Sequence, residues 1–377
     1  MEEYVCKLGK TMRRGYTTGS CATLAAQAAA KSLLMGSACT QAHILTPKGI
    51  PLSVSVEDLR IENNAASCAV RKDAGDDPDI TDGILIYARV EKTGDGQITV
   101  DGGKGVGRVT RRGLDQPVGA AAINRVPRRM IAEAVAAVCE EWGWDGGLSV
   151  VISIPEGERL AAKTFNPQLG IEGGLSVLGT SGIVEPMSTQ AILDTIATEM
   201  KMHYAEGARE VVLTPGNYGA RYLAERPELA IRPAVKCSNF IGEALDLAAM
   251  QGFASVLLVG HVGKLVKVAG GIMDTHSRVA DTRMELLALH AALAGGDGEL
   301  LRAVLACATT DAALELLAGQ GLKEAVITGL LAEADRYLER RVKGAFSVGI
   351  MMFSNEHGTL GLSPGGEKIL EHWRAQP

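Results

Sequence analysis

The chain has 377 residues, 46% of them hydrophobic but only 4% aromatic, and a formal net charge of −6. That length suggests two or three domains with aliphatic cores, and the acidic balance argues against binding nucleic acid by bulk charge. No window reaches the ~18 unbroken apolar residues of a membrane span, MEEYVCKLGKTMRRGY lacks the apolar core of a secretory signal, and seven cysteines without a CxxC pair point to a reducing compartment. The expectation is a cytoplasmic protein with no disulfide framework, no structural zinc and no membrane contact.

The first element expected is a helix over CATLAAQAAAKSLLM, with Ser20 as N-cap and Gly36 as C-cap. Just before it, RRGYTTGSCA gathers Arg13, Arg14, Tyr16, Thr17, Thr18 and Ser20 at the helix start. A helix dipole, free amides, hydroxyls and two arginines together suit an anionic ligand. The plainer reading is a capped helix with solvated arginines.

HILTP, LSVSVED, ASCAVRKD and ILIYARVEK alternate apolar and polar residues and read as short antiparallel strands. The glycine-rich ITVDGGKGVGRVTRRGL follows. Between Asp101 and Met130, Lys104, Arg108, Arg111, Arg112, Arg125, Arg128 and Arg129 face only Asp101 and Asp115, a local excess of positive charge in an acidic chain. Such ground suits a ligand with several carboxylates or phosphates, or it is a solvated face. MIAEAVAAVCEEWGW then has helical spacing, and LSVVISIPEG reads as a strand.

From about residue 170 the pattern changes. GGLSVLG, EVVLTPG, AVKCSN and FASVLLVGH read as short apolar strands alternating with helices, and the chain is mostly helical from Ser277 to Gly344 before a late strand in AFSVGIMMFSN. The expected fold is therefore an α+β domain over residues 1–168, followed by an α/β domain over 169–377 with a mainly parallel, doubly wound sheet and a helical C-terminal region.

Ligands of open α/β sheets bind beyond the carboxyl ends of strands, which singles out three loops. GTSG places Gly179, Thr180, Ser181 and Gly182 in a turn that lets a ligand approach the backbone, although it lacks the GxGxxG spacing. TPGN ends on Asn217, a ligand contact or a helix cap. The third, GHVGKLVKVAGGIMDTHS, offers His261, Lys264, Lys267, Asp274 and His276. It fails the phosphate-loop pattern, because Leu265 follows Lys264. Asp274 and His276 suggest half a metal site without a third ligand, an acid–base pair, or a loop satisfying its own amides.

RRGYTTGSCATLAAQAAAK, GTSGIVEPMS and VGHVGKLVKVAGGIMDTHS, in that order, resemble the cobalt-precorrin-5B C1-methyltransferase family, also called CbiD, along nearly the whole chain. Ser20 stands where the family pattern leads one to expect threonine, which keeps the hydroxyl. The resemblance implies S-adenosylmethionine as methyl donor, carbon 1 of a cobalt-containing tetrapyrrole as acceptor, and cobalt-precorrin-6A as product in anaerobic cobalamin synthesis. On that footing Gly179, Thr180, Ser181, Gly182 and Asn217 are expected at the donor. Arg13, Arg14, Thr17, Thr18, Ser20, His261 and Lys264 are expected at the carboxylate arms of the macrocycle. His276 is expected to move a proton with Asp274 as its orienter. Cobalt enters only with the substrate, so no protein metal site is expected. A homo-oligomer is compatible with the sequence. A small-molecule kinase and a non-catalytic tetrapyrrole carrier are the competing readings.

Overall fold

The computed structural model describes residues 4–7, 9–230 and 232–376. The chain divides into two compact units, Met1–Thr189 and Gln190–Pro377, so the division falls later than residue 168.

The first unit is built on a five-stranded sheet. In chain order its strands are β1 (Glu57–Ile61), β2 (Ala65–Arg71), β3 (Leu85–Thr93), β4 (Ile98–Gly102) and β5 (Gly147–Ser153), and their spatial order is β1-β2-β3-β5-β4. All neighbours are antiparallel except β5 and β4. The two-residue period of β3 and β5 turns Ile86, Ala88, Val90, Leu148, Val150 and Ile152 into the core. Two helices, α1 (Thr18–Met35) and α2 (Arg125–Glu141), cover that face. The alanines of α1 are fully buried, because only small side chains let a helix lie this close to a sheet and to a second helix. Its N-cap is Thr17 rather than Ser20: the Thr17 Oγ1 accepts from the Ser20 amide at 3.2 Å, the TTGS run offering a hydroxyl three residues earlier. Gly36 closes the helix in the left-handed region, as expected.

Residues 169–189 belong to this unit. Gly174–Leu175 pairs with Gly105–Val106, Ile171–Glu172 with Arg108–Val109, and Ile183–Val184 with Gly15–Tyr16. The expected GGLSVLG strand is thus a two-residue bridge and not a member of the second sheet.

The second unit holds β6 (Glu210–Thr214), β7 (Ala234–Lys236), β8 (Ser255–His261), β9 (Ser347–Ser354) and β10 (Gly358–Leu362), in the order β7-β6-β8-β9-β10. The first four are parallel and β10 is antiparallel. Helices lie on both faces. Val211, Leu213, Val256, Leu258, Ile350 and Met352 meet α4 (Ile241–Gln251), α5 (Arg283–Leu293), α6 (Thr310–Gly319) and α7 (Lys323–Val342). Val212, Leu257, Val259, Met351 and Phe353 meet α3 (Tyr218–Ala224) and α8 (Pro364–Ala375). A strand covered on both faces has no polar side, which is why FASVLLVGH carries an unbroken apolar run. Both units are mixed α and β. No helix among the described residues is long and apolar enough to cross a membrane.

Candidate functional site

In the first unit the structure brings together two groups that lie far apart in sequence. The start of α1 receives the 178–182 loop. The Gly19 amide donates to the Leu178 carbonyl at 2.8 Å, the Thr17 amide to Gly182 O at 3.1 Å, and the Ser20 hydroxyl to Gly182 O at 2.7 Å. The Leu178 amide donates to the Thr18 hydroxyl at 2.8 Å. These amides and hydroxyls, read from the sequence as free for an anion, are used to staple the loop. Gly179 has φ +135° and a side chain there would overlap Thr17, while a Cβ at Gly182 would crowd Thr46. Both glycines therefore have a packing reason. Ser181 donates to Ile183 O at 3.0 Å, and Thr180 is exposed.

The arginines are likewise partnered. Arg13 forms a two-pronged pair with Asp73 at 2.5 and 2.7 Å, and its amide donates to Asp76 at 2.6 Å. Asp73 is held below the usual carboxylate range chiefly by that guanidinium. Arg14 lies 3.4 Å from Glu185, which also pairs with Lys48. Arg108 pairs with Asp101 at 2.8 Å, Arg125 with Asp115 at 3.6 Å and Arg129 with Glu133 at 3.8 Å, so much of the basic stretch is internally balanced. The aspartates of KDAGDDPDITDG do this work for Arg13, and sequence reading passed them over. The signal was available in five aspartates among turn-forming residues.

In the second unit the C-terminal ends of the parallel strands converge on a polar rim. Beyond β6 lies Pro215-Gly216-Asn217, beyond β7 Ser238-Asn239, and beyond β8 the turn His261 to Lys264. A pocket of ≈ 440 Å³ opens here, lined by Asn239, Gly263, Lys264, Lys267, Thr275, His276, Ser277 and Arg283. Three of those side chains are cationic and none is acidic. The Lys264 ammonium sits 3.3 Å from Asn239 Oδ1 and 3.4 Å from the Ser238 carbonyl, both neutral acceptors. Partial burial pushes its pKa down. Asn217 begins α3 without a side-chain cap, and its Oδ1 accepts from Lys236 instead.

Lys267 is 2% exposed and lies on a short 3-10 turn, Val266–Gly270, at the floor of this pocket. Its ammonium donates to the carbonyls of Thr275 at 3.0 Å and Ala280 at 2.8 Å, tying down both ends of the loop that carries His276. Burial pushes its pKa down as well.

Asp274 and His276 do meet, but not ring to carboxylate. Asp274 Oδ1 accepts from the His276 backbone amide at 3.0 Å, and His276 Nδ1 accepts from the Arg278 amide at 3.1 Å. In the neutral ring the proton therefore sits on Nε2. His261 caps its own turn through Nδ1, which accepts from the Gly263 amide at 3.1 Å, and its ring packs against Tyr218 and edge-to-face against Phe353. Burial lowers its pKa, against the opposing pull of Asp311 and Glu356. The structure thus gathers Lys264 and His276 in one pocket, with His261 on the Lys264 turn and Asp274 on the His276 loop. Asn239, Thr275 and Arg283 join that pocket without having been singled out in the sequence. Asn239 had a visible signal, since it follows a strand end.

Residues 6–186 match the family model described as CbiD, and residues 274–364 the model described as CbiD, C-terminal domain. A protein of Ruminiclostridium cellulolyticum named cobalt-precorrin-5B C(1)-methyltransferase is 47% identical over 94% of this chain and 92% of its own length. One of the same name from Alkaliphilus metalliredigens is 44% identical over 98% and 97%. A crystal structure of a cobalamin biosynthesis protein (cbiD) from Archaeoglobus fulgidus matches 74% of this chain and 87% of that one at 30% identity, with a TM-score of 0.41.

Proposed function

The chain belongs to the CbiD family, and from that premise we infer that it is a cobalt-precorrin-5B C(1)-methyltransferase of cobalamin biosynthesis. The observation that carries the inference is relatedness along the whole chain, not one shared motif: the similarity to the Alkaliphilus protein extends over 98% of it. We propose S-adenosylmethionine as the donor and cobalt-precorrin-6A as the product. A cytoplasmic location fits seven free cysteines, four of them buried.

We read the second unit as doubly wound. From β6 the chain moves to β7 on one side and then to β8 on the other, with helices on both faces. The strand order reverses between β6 and β8, the place where open α/β sheets bind ligands. Asn217 follows one of those strands and Lys264 the other. A half-buried ammonium with only neutral acceptors is matched to a carboxylate, which both the donor and the macrocycle arms carry. The residues present fit the donor on that chemistry.

Methyl transfer from a sulfonium needs no nucleophile from the protein. What the chain supplies is alignment, which lowers a barrier by about 7–11 kcal/mol in favourable cases. In this reading Lys264 and Asn239 hold a carboxylate, and Asn217 lies at the donor. His276 lines the pocket with Nε2 as its hydrogen-bond donor, and Asp274 fixes the backbone beneath it. For His276 to accept a proton as a neutral base it must surrender the Arg278 amide, so hydrogen-bond donation is its resting role. Thr17, Thr18, Ser20 and Gly179 to Gly182 shape a rigid turn in the first unit. Ligand contact there falls to the exposed Thr180 and to Arg13 and Arg14 at their salt-bridged edges.

The test is anaerobic methyl transfer, set beside calorimetry with S-adenosylhomocysteine. Lys264→Ala removes a charge-assisted bond of about 1.5–3 kcal/mol, so affinity for one carboxylate ligand drops roughly ten- to hundredfold. His276→Ala slows turnover more than it weakens donor binding. A wild-type chain that binds the macrocycle but transfers no methyl group is a carrier, and the reading fails.

A further inference from the structure

At the edge of the second unit's sheet, Asp311, Glu356 and His357 converge. One oxygen of each carboxylate and one imidazole nitrogen lie within 4.8 Å of one another. Asp311 stands in the first turn of α6, and Glu356 and His357 form the turn between β9 and β10. The turn is set by Ser354, whose hydroxyl accepts from the amides of Glu356 at 3.0 Å and His357 at 3.1 Å and donates to Asp311 Oδ1. The other Asp311 oxygen lies 3.9 Å from His261 Nε2, the ring nitrogen left protonated by the Gly263 contact. The Ser354 hydrogen bond is the outer support metal-binding carboxylates receive.

Two further facts point to a ligand. His357 Nε2 is buried and has no hydrogen-bond partner among the described residues, a rarity for an imidazole nitrogen. Among those residues, no lysine or arginine forms an ion pair with Asp311 or Glu356, so two carboxylates share a small space without a fixed cation. Two oxygens and an imidazole suit a borderline-soft divalent cation better than Mg²⁺ or Ca²⁺, which prefer oxygen alone.

We propose that Asp311, Glu356 and His357 bind a divalent transition-metal cation of the Zn²⁺ class. Three protein ligands leave a coordination position for water or a further ligand. The bound cation joins the β9–β10 turn to the start of α6. This site is independent of the methyl-transfer reading.

The experiment uses the full chain, stripped with a chelator and dialysed, then titrated with Zn²⁺ by calorimetry and with Co²⁺ by visible absorption. One Zn²⁺ per chain is expected, with a rise in Tm, undisturbed by excess Mg²⁺. Glu356→Gln, His357→Gln and Asp311→Asn each weaken it by at least about tenfold, and the Co²⁺ bands change in His357→Gln. Glu356 is exposed, so its variant remains decisive should Asp311→Asn fail to fold. No binding, or binding of unchanged affinity in all three variants, overturns the proposal.

Discussion

Gly179 shows how one missing side chain can be needed for a contact inside the fold. Its φ of +135° and the nearness of Thr17 exclude a Cβ. Gly179→Ala is expected to destabilise the first unit by about 1–3 kcal/mol, read as a lower urea midpoint. Lys267 makes the opposite case. A buried ammonium bound only to carbonyls costs desolvation, yet it fixes the loop under His276. Lys267→Met leaves two carbonyls short of a donor, at about 1–3 kcal/mol. Its functional signature is a fall in kcat larger than the loss of donor affinity, because the loop is loosened and the Lys264 contact is not. Neither role was legible in the sequence. Gly179 looked like a ligand turn because its partner, Thr17, is far away in the chain. Lys267 looked like a second ligand-facing cation beside Lys264, because the 3-10 turn that buries it has no periodic signal.

At the scale of elements, α7 and α8 are joined by one carboxylate. Asp335 of α7 accepts from the Ser363 hydroxyl at 2.6 Å and from the Gly365 amide at 2.8 Å, and Ser363 caps α8 through the Gly366 amide at 3.1 Å. The acid thus lies at the positive end of the α8 dipole. Asp335→Ala should cost about 2–3 kcal/mol by stranding that hydroxyl and amide, seen in thermal unfolding. The elements of the second unit were readable because a strand buried on both faces keeps an apolar run that turns and helices interrupt. GGLSVLG deceived for the same reason: it is apolar, but a two-residue bridge buries it as well as a sheet does. The metal ligands were invisible, since Asp311 and the Glu356–His357 turn meet only after α6, α7 and β9 have packed.

For the whole molecule, buried titratable groups set the response to acid. His290 on α5 is buried, and burial lowers its pKa against the opposing pull of Glu333, itself paired with Arg336. A depressed histidine contributes stability that is complete above its unfolded pKa near 6.5 and is lost as pH falls through the folded value. Asp79 adds to this lower down. Burial pushes its pKa up, but the Lys72 ammonium, 2% exposed and 2.6 Å away, and the hydrogen bonds from the Thr81 hydroxyl and amide together hold it below its ordinary value. Its contribution is present above about pH 4 and disappears below. Melting temperature should therefore be level near pH 7–8 and decline through the imidazole range, with a second drop in stronger acid. His290→Gln should flatten the first decline.

The order of β8 and β9 also has a consequence in time. β8 lies at the middle of its sheet, but its neighbour β9 and the Trp373 indole that donates to Ser255 at 3.0 Å come much later in the chain. At roughly 5–20 residues per second, the ribosome makes them several seconds after β8. During that wait β8 can pair only with β6, and its other edge is bare and apolar. Newborn second units are most vulnerable to edge-to-edge pairing in this interval, so the chain depends on its helices α5 to α7 gathering over the sheet before β9 is added.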